Sequence, residues 1–257
     1  MSGPAPPWHF ARVLVPLAAS TRVREALEAG AGLAAAVGAR LEGLFVEDVN
    51  LARLAALPFA REVESLTAAR RQLPLAAVER AFRVEAAHLS RLLAHSAQRA
   101  RVECSFLVTR GQWLAEVVAR DADLTVLVGS GRAAAGERGG RARRPVAALF
   151  DASAAARRGL AAASRLARAF DRELLILIPR STAADESAAS EAARAWLAAE
   201  RLGGSAVLLA PTAQALFALV RTQGGTTLAL PVPALPTFAV DLPALAANAP
   251  CTVILVR

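Results

Sequence analysis

A chain of 257 residues, 55% of them apolar, is long enough for one large domain or for two of ordinary size, each with its own core. The formal charge of +8 comes from arginine alone, because the sequence contains no lysine. The arginines are scattered and no aromatic or groove-reading motif accompanies them, so nucleic acid is not expected as a partner.

The chain opens with MSGPAPPWHFAR, whose prolines stand where a signal peptide needs an apolar helix, and residues 1–11 read as a flexible lead-in. A continuous apolar run from Val13 then predicts a strand covered on both faces. Ser20 stands at an N-cap position, Val23, Leu27, Leu33 and Val37 recur at helical spacing, and Gly38 is placed to end the helix. A second apolar run follows, making a β-α-β unit whose crossover is right-handed. The stretch VNLARLAALPFAREVESLT carries Leu51, Leu54, Leu57 and Phe59, which is more apolar than a surface connection needs. Core packing is its default reading, with a mobile lid or partner-binding surface as the alternative. An amphipathic helix from about Leu75 to Arg101, a strand at VECSFLV, a helix at GQWLAEVVAR and a strand at LTVLVG complete the first half.

A segment rich in glycine and arginine, residues 132–144, runs from there into the second half. Its dense arginines, Arg132, Arg138, Arg141, Arg143 and Arg144, read as a solvated linker. The second half predicts strands at VAALF, ELLILI, SAVLLA, TTLALPV and CTVILVR, with helices between them. Its most apolar region, SAVLLAPTAQALFALV, is broken by Pro211 and Gln214, short of the roughly 18 unbroken apolar residues of a spanning helix. A soluble, cytoplasmic protein with no membrane partner is expected. Cys104 and Cys251 offer no disulfide framework, and both read as small buried hydrophobes.

The two halves repeat. The 33 residues from Val13 align without a gap on those from Val146, so that Val13 meets Val146, Ser20 meets Ser153, Arg24 meets Arg157, Leu27 meets Leu160, Leu33 meets Leu166 and Leu41 meets Leu174. Strands alternating with helices predict an α/β fold of two doubly wound open parallel sheets, each layered α/β/α in the flavodoxin manner. The units are 12–131, which lacks a last helix and strand, and 145–257.

This order of elements, with VLVPLAAS, LEGLFVEDVN, LARLAALPFAREV, FLVTRGQWLAEVV, DADLTVLVGS and the closing APCTVILVR, resembles the universal stress protein family in its tandem form. The likeness is strong from Arg12 to Gly131, moderate from Pro145 to Ile178, and returns at Ala249 to Arg257. It implies an adenine-nucleotide alpha-hydrolase-like sheet, self-association as an intramolecular pseudo-dimer or homodimer, further pairing through the C-terminal strand, an unidentified protein partner, and stress-linked regulation without dedicated catalysis. The ATP-binding branch of that family carries an aspartate at the end of the first strand, a backbone contact at the end of the second, and a loop of the form G-x-x-G-x9-G-S/T after the fourth. Glycines there let backbone N–H groups ring the phosphates ahead of a helix N-terminus.

Carried onto this sequence, that pattern selects Val46, Gly129, Ser130, Gly131 and Asp151 as nucleotide contacts, should ATP bind. Both copies are degenerate. In the first half Ala18 stands at the aspartate position and Arg132 at the second glycine; in the second half Asp151 is present, but the loop reads LPVPALPTFAVDLP, whose prolines lack the N–H that phosphate binding uses. The sequence therefore predicts no cofactor and no enzyme activity. A nucleotide-binding switch with weak ATP hydrolysis, and an adaptor using the arginine seam for an anionic or protein partner, are the alternatives. No metal site is expected: His88 and His95 lie two helical turns apart, about 10 Å along the axis, with no third ligand beside them. Glu47 and Asp48 have no base or nucleophile next to them and read as structural, and Asp121 and Asp123 read as turn-capping residues.

Overall fold

The computed structural model describes residues 8–17, 22–63, 70–129, 144–223 and 227–257. In the first half, β1 (Arg12–Leu17), α1 (Val23–Val37) and β2 (Arg40–Asp48) lead into a short α2 (Val49–Ala55) and a small hairpin, β3 (Arg61–Val63) with β4 (Arg70–Gln72). The long α3 (Leu75–Ala100), β5 (Cys104–Gly111), α4 (Trp113–Ala119) and β6 (Leu124–Val128) follow. The second half runs β7 (Val146–Leu149), α5 (Ala154–Ala169), β8 (Leu174–Pro179), α6 (Ala183–Glu200), β9 (Gly204–Leu209), α7 (Ala213–Thr222), β10 (Thr227–Pro231), α8 (Leu242–Asn248) and β11 (Thr252–Val256), with two 3-10 turns at Val232–Ala234 and Pro236–Phe238.

The expected pair of sheets is joined into one sheet of nine strands, ordered β5-β2-β1-β6-β11-β10-β7-β8-β9. Within each half the pairing is parallel, and the order β5-β2-β1-β6 is matched by β9-β8-β7-β10. The halves meet where β6 runs antiparallel to β11, with Val128 opposite Thr252 and Leu124 opposite Val256. The first half ends its sheet at β6, which leaves an open edge, and β11 closes it. The C-terminal strand is thereby paired on both sides, with β10 and with β6, so it is not an edge open to a second copy. The antiparallel joint also turns the second half end for end: carboxyl ends of β1, β2 and β6 lie on one edge of the sheet, those of β7, β8 and β10 on the other.

Strand alternation divides the core into two faces. Val13, Val15, Leu124, Val126, Val146, Ala148, Ile254 and Val256 point to the face covered by α1, α3, α5 and α6. Leu14 and Leu44 meet Val117 of α4 on the other face, and Leu127, Leu149, Leu175 and Val253 meet Leu216 of α7 and Leu245 of α8. The positions aligned in sequence do equivalent work: Val13, Val146, Leu27, Leu160, Leu41 and Leu174 are all fully buried, whereas Arg24 and Arg157 are exposed. The alanine-rich helices α1 and α5 pack on each other across the joint; small side chains let them approach closely while keeping high helix propensity.

Local signals act as expected in part. Ser153 caps α5 by accepting from the Ala156 N–H at 3.1 Å, and Gly38 ends α1 in the left-handed conformation at φ 73°. Ser20 lies outside the described residues, and α1 starts after Arg22 with no side-chain cap. The core packing expected for Leu51, Leu54, Leu57 and Phe59 does not occur. These side chains are exposed, Phe59 by 73%, because α2 is a single short helix that buries only Ala55. Cys251 is buried as expected, but Cys104 is exposed, since it opens the edge strand β5.

Candidate functional site

The sequence-selected contacts that are described, Val46, Gly129 and Asp151, are divided between the two halves. Val46 and Gly129 lie at the carboxyl edge of the first half, while Asp151 follows β7 on the opposite edge of the sheet, a separation imposed by the antiparallel β6–β11 joint. Ser130 and Gly131 lie outside the described residues, as do Ala18, Arg132, Arg138, Arg141 and Arg143.

Val46 is buried in β2, paired with Thr109 of β5 and one residue beyond the last partner of β1, Phe45. Glu47 beside it accepts from Arg110 at 3.0 and 2.9 Å, and Asp48 caps α2 by accepting from the Asn50 N–H at 2.8 Å. Each member of the acid pair thus holds a local partner. At the end of β6, the Gly129 N–H donates to the Cys251 carbonyl at 3.4 Å, and its own carbonyl accepts from the Arg22 guanidinium. A Cβ on Gly129 would stand 2.0 Å from the Ala249 carbonyl oxygen. Close approach of the α8–β11 turn is therefore what demands a glycine here, and the N–H and carbonyl of Gly129 itself are both engaged within the protein.

In the second half, one Asp151 oxygen accepts from the Ser153 N–H at 3.0 Å, forming a side-chain turn before α5, with Ala152 between them at φ 63°. The segment after β10 is the decisive departure. Its prolines set up the two 3-10 turns, which fold inward and bury Ala234, Leu235, Phe238 and Val240 against Leu149, Leu216 and Leu230. No water-sized space remains among those side chains. Asp241 then caps α8 through the Ala244 N–H at 2.6 Å.

A second constellation stands at the joint, where the sequence predicts only a turn. One oxygen of Asp123 accepts from the Ala11 N–H at 2.8 Å and the Arg12 N–H at 3.0 Å, and the other is held by Arg158 of α5. Arg158 also donates to the Arg257 carbonyl at 2.9 Å and lies over the Phe10 ring, 5.4 Å from its centroid, as does Arg165. Arg165 reaches the carbonyls of Trp8 and Val37 at 2.6 and 3.2 Å. Phe10 is only 1% exposed, so the expected flexible lead-in is anchored at this residue, while His9 and Ala11 stay exposed and residues 1–7 lie outside the described residues. Asp123 is a junction residue, not a solvated cap. Burial raises its pKa, but the two N–H donors and the Arg158 charge outweigh this and hold the carboxyl below its ordinary value.

Among the described residues no group of three or more His, Cys, Asp or Glu side chains converges on a metal position, and no helix is long and apolar enough to cross a membrane.

No family model and no curated protein matches this sequence. Solved structures do. A universal stress protein from Archaeoglobus fulgidus superposes with a TM-score of 0.60 at 14% identity, covering 97% of both chains. A Pseudomonas aeruginosa protein described as functionally unknown gives 0.52 at 11% identity, covering 96% of this chain and 92% of that one. A candidate universal stress protein from the same species gives 0.51 at 12%, covering 96% and 93%. Over nearly its whole length, the chain has the fold of the universal stress proteins.

Proposed function

We propose that this is a cytoplasmic, non-enzymatic stress-response regulator of the tandem universal-stress-protein type, in which the two halves pack as an intramolecular pseudo-dimer and tight nucleotide binding has been lost. The observation that carries this reading is the apolar fill over the end of β10, together with the engaged backbone of Gly129 in the first half. Gly129 spends its N–H on Cys251 and its carbonyl on Arg22, and Phe238 and Leu235 occupy the space over the end of β10. A nucleotide needs free N–H groups and an open crevice at such an edge. The repeated strand order in the two halves supports the tandem reading, and output through a protein partner is part of the same proposal.

Calorimetric titration of the nucleotide-stripped protein with ATP tests it. No saturable heat up to about 1 mM is expected, weaker than roughly −4 kcal/mol of binding. Saturable binding that disappears in Asp151→Ala would replace this reading with a nucleotide-binding switch.

A further inference from the structure

On the edge opposite Val46 and Gly129, the amino ends of β1, β2 and β5 border a cleft of about 820 Å³, a size that suits a small organic ligand. Its polar wall carries His9, Arg12, Arg40, Arg101 and Glu103. Three guanidiniums against one carboxylate leave it net cationic. Its apolar lining is offered by the exposed Ala35 and the half-buried Ala100 and Val102, with the buried Phe10, Ala34 and Ala39 beside them.

Arginines beside helix C-termini commonly serve the last carbonyls, and α1 and α3 both end here. In this cleft those carbonyls are already served. Ala34 O accepts from the N–H groups of Gly38 and Ala39, Val37 O from Arg165, and Ala97 O from the N–H groups of Arg101 and Val102. The side chains of His9 and Arg101 have no hydrogen bond or ion pair with a described residue. Arg40 meets Glu103 only at 3.7 Å, with both side chains more than half exposed, and such a pair holds its guanidinium weakly. Arg12 reaches Asp121 at 3.2 Å, again in an exposed pair.

We propose that this cleft binds a small phosphomonoester, its phosphate held by Arg40 and Arg101 with Arg12 and His9 behind them, and its organic body laid on the apolar lining. Guanidinium forks match phosphate oxygens two at a time, which a carboxylate as distant as Glu103 does not. The proposal is independent of whether ATP binds at either carboxyl edge.

Titration of the whole protein with phenyl phosphate and, separately, with inorganic phosphate tests it. Phenyl phosphate is expected to bind saturably and more tightly than inorganic phosphate, because only it covers the apolar lining. The Arg40→Ala/Arg101→Ala double variant should lose at least about tenfold in affinity. Arg24→Ala/Arg157→Ala, which removes the same charge from two other exposed positions, should bind as wild type. An unchanged thermal midpoint for both doubles establishes that each is folded. Absence of saturable binding, equal binding of the two phosphates, or equal weakening in both doubles overturns the site and leaves only general attraction to a basic surface.

Discussion

Asp123, immediately before β6, and Arg158, on the second turn of α5, form an ion pair that joins the two halves of the chain. The same carboxylate takes the Ala11 and Arg12 N–H groups, and the same guanidinium takes the Arg257 carbonyl, so one contact gathers four separate segments. Removing one partner strands the other half-buried. Asp123→Asn and Arg158→Met are each expected to destabilise the protein by about 2 kcal/mol. A double-mutant cycle in urea should give a coupling of about 1–2 kcal/mol; additive losses would assign Asp123 to local turn structure instead.

The pair also sets a direction for acid stability. The folded carboxyl sits below its unfolded value near 3.9. The unfolded chain therefore binds the proton first, and the contribution of Asp123 is complete above the unfolded pKa and is lost as pH falls through the folded one. Urea midpoints followed downward from neutral pH should fall more steeply for the wild type than for Asp123→Asn across the carboxylate range. Parallel curves would contradict this.

Gly129→Ala and Phe238→Ala probe packing at the ends of β6 and β10, with Gly38→Ala as a control. Gly129→Ala forces a methyl group against the Ala249 carbonyl, backbone that cannot swing aside, and a loss of about 3 kcal/mol is expected. Gly38→Ala, in open space at φ 73°, should cost only about 1 kcal/mol, from backbone conformation alone. Phe238→Ala empties the apolar fill after β10, with an expected cost of about 3–5 kcal/mol. Equal effects of the two glycine variants in chemical denaturation would remove the packing reason for Gly129.

The two thiols should differ in reactivity. Burial pushes the Cys251 thiol up to about 12, whereas Cys104 is exposed on the edge strand. In the native protein an alkylating reagent at neutral pH is expected to modify Cys104 alone, and both after denaturation. Mass spectrometry of the modified peptides reads the result; native labelling of Cys251 would mean that β11 opens readily from the sheet.

Much of the fold was legible because it rests on local pattern. Apolar runs such as VLVPL and LLILI mark strands buried on both faces, and Ser153 and Gly38 act as the caps their types suggest. The hairpin of β3 and β4 was missed, since strands of three residues leave no periodicity. Phe59 and its neighbours misled in the other direction: hydropathy does not reveal whether a short helix has anything to pack against. For the candidate contacts Val46, Gly129 and Asp151, a motif position says what type of residue stands there and not which edge of the sheet it reaches.

By itself, the sequence determined the α/β class, the repeat of one half in the other, and the degeneracy of the loops, all of which are carried by residue type and spacing along the chain. Only the tertiary structure decided that β11 closes the open side of β6, that Val46 and Asp151 face opposite ways, and that Phe10 is clamped beneath Arg158 and Arg165. Those relations join residues more than 100 positions apart. They follow from which hydrogen-bonding edge is left unpaired and which charge is left unscreened once the halves have formed, and neither quantity exists in an unfolded chain.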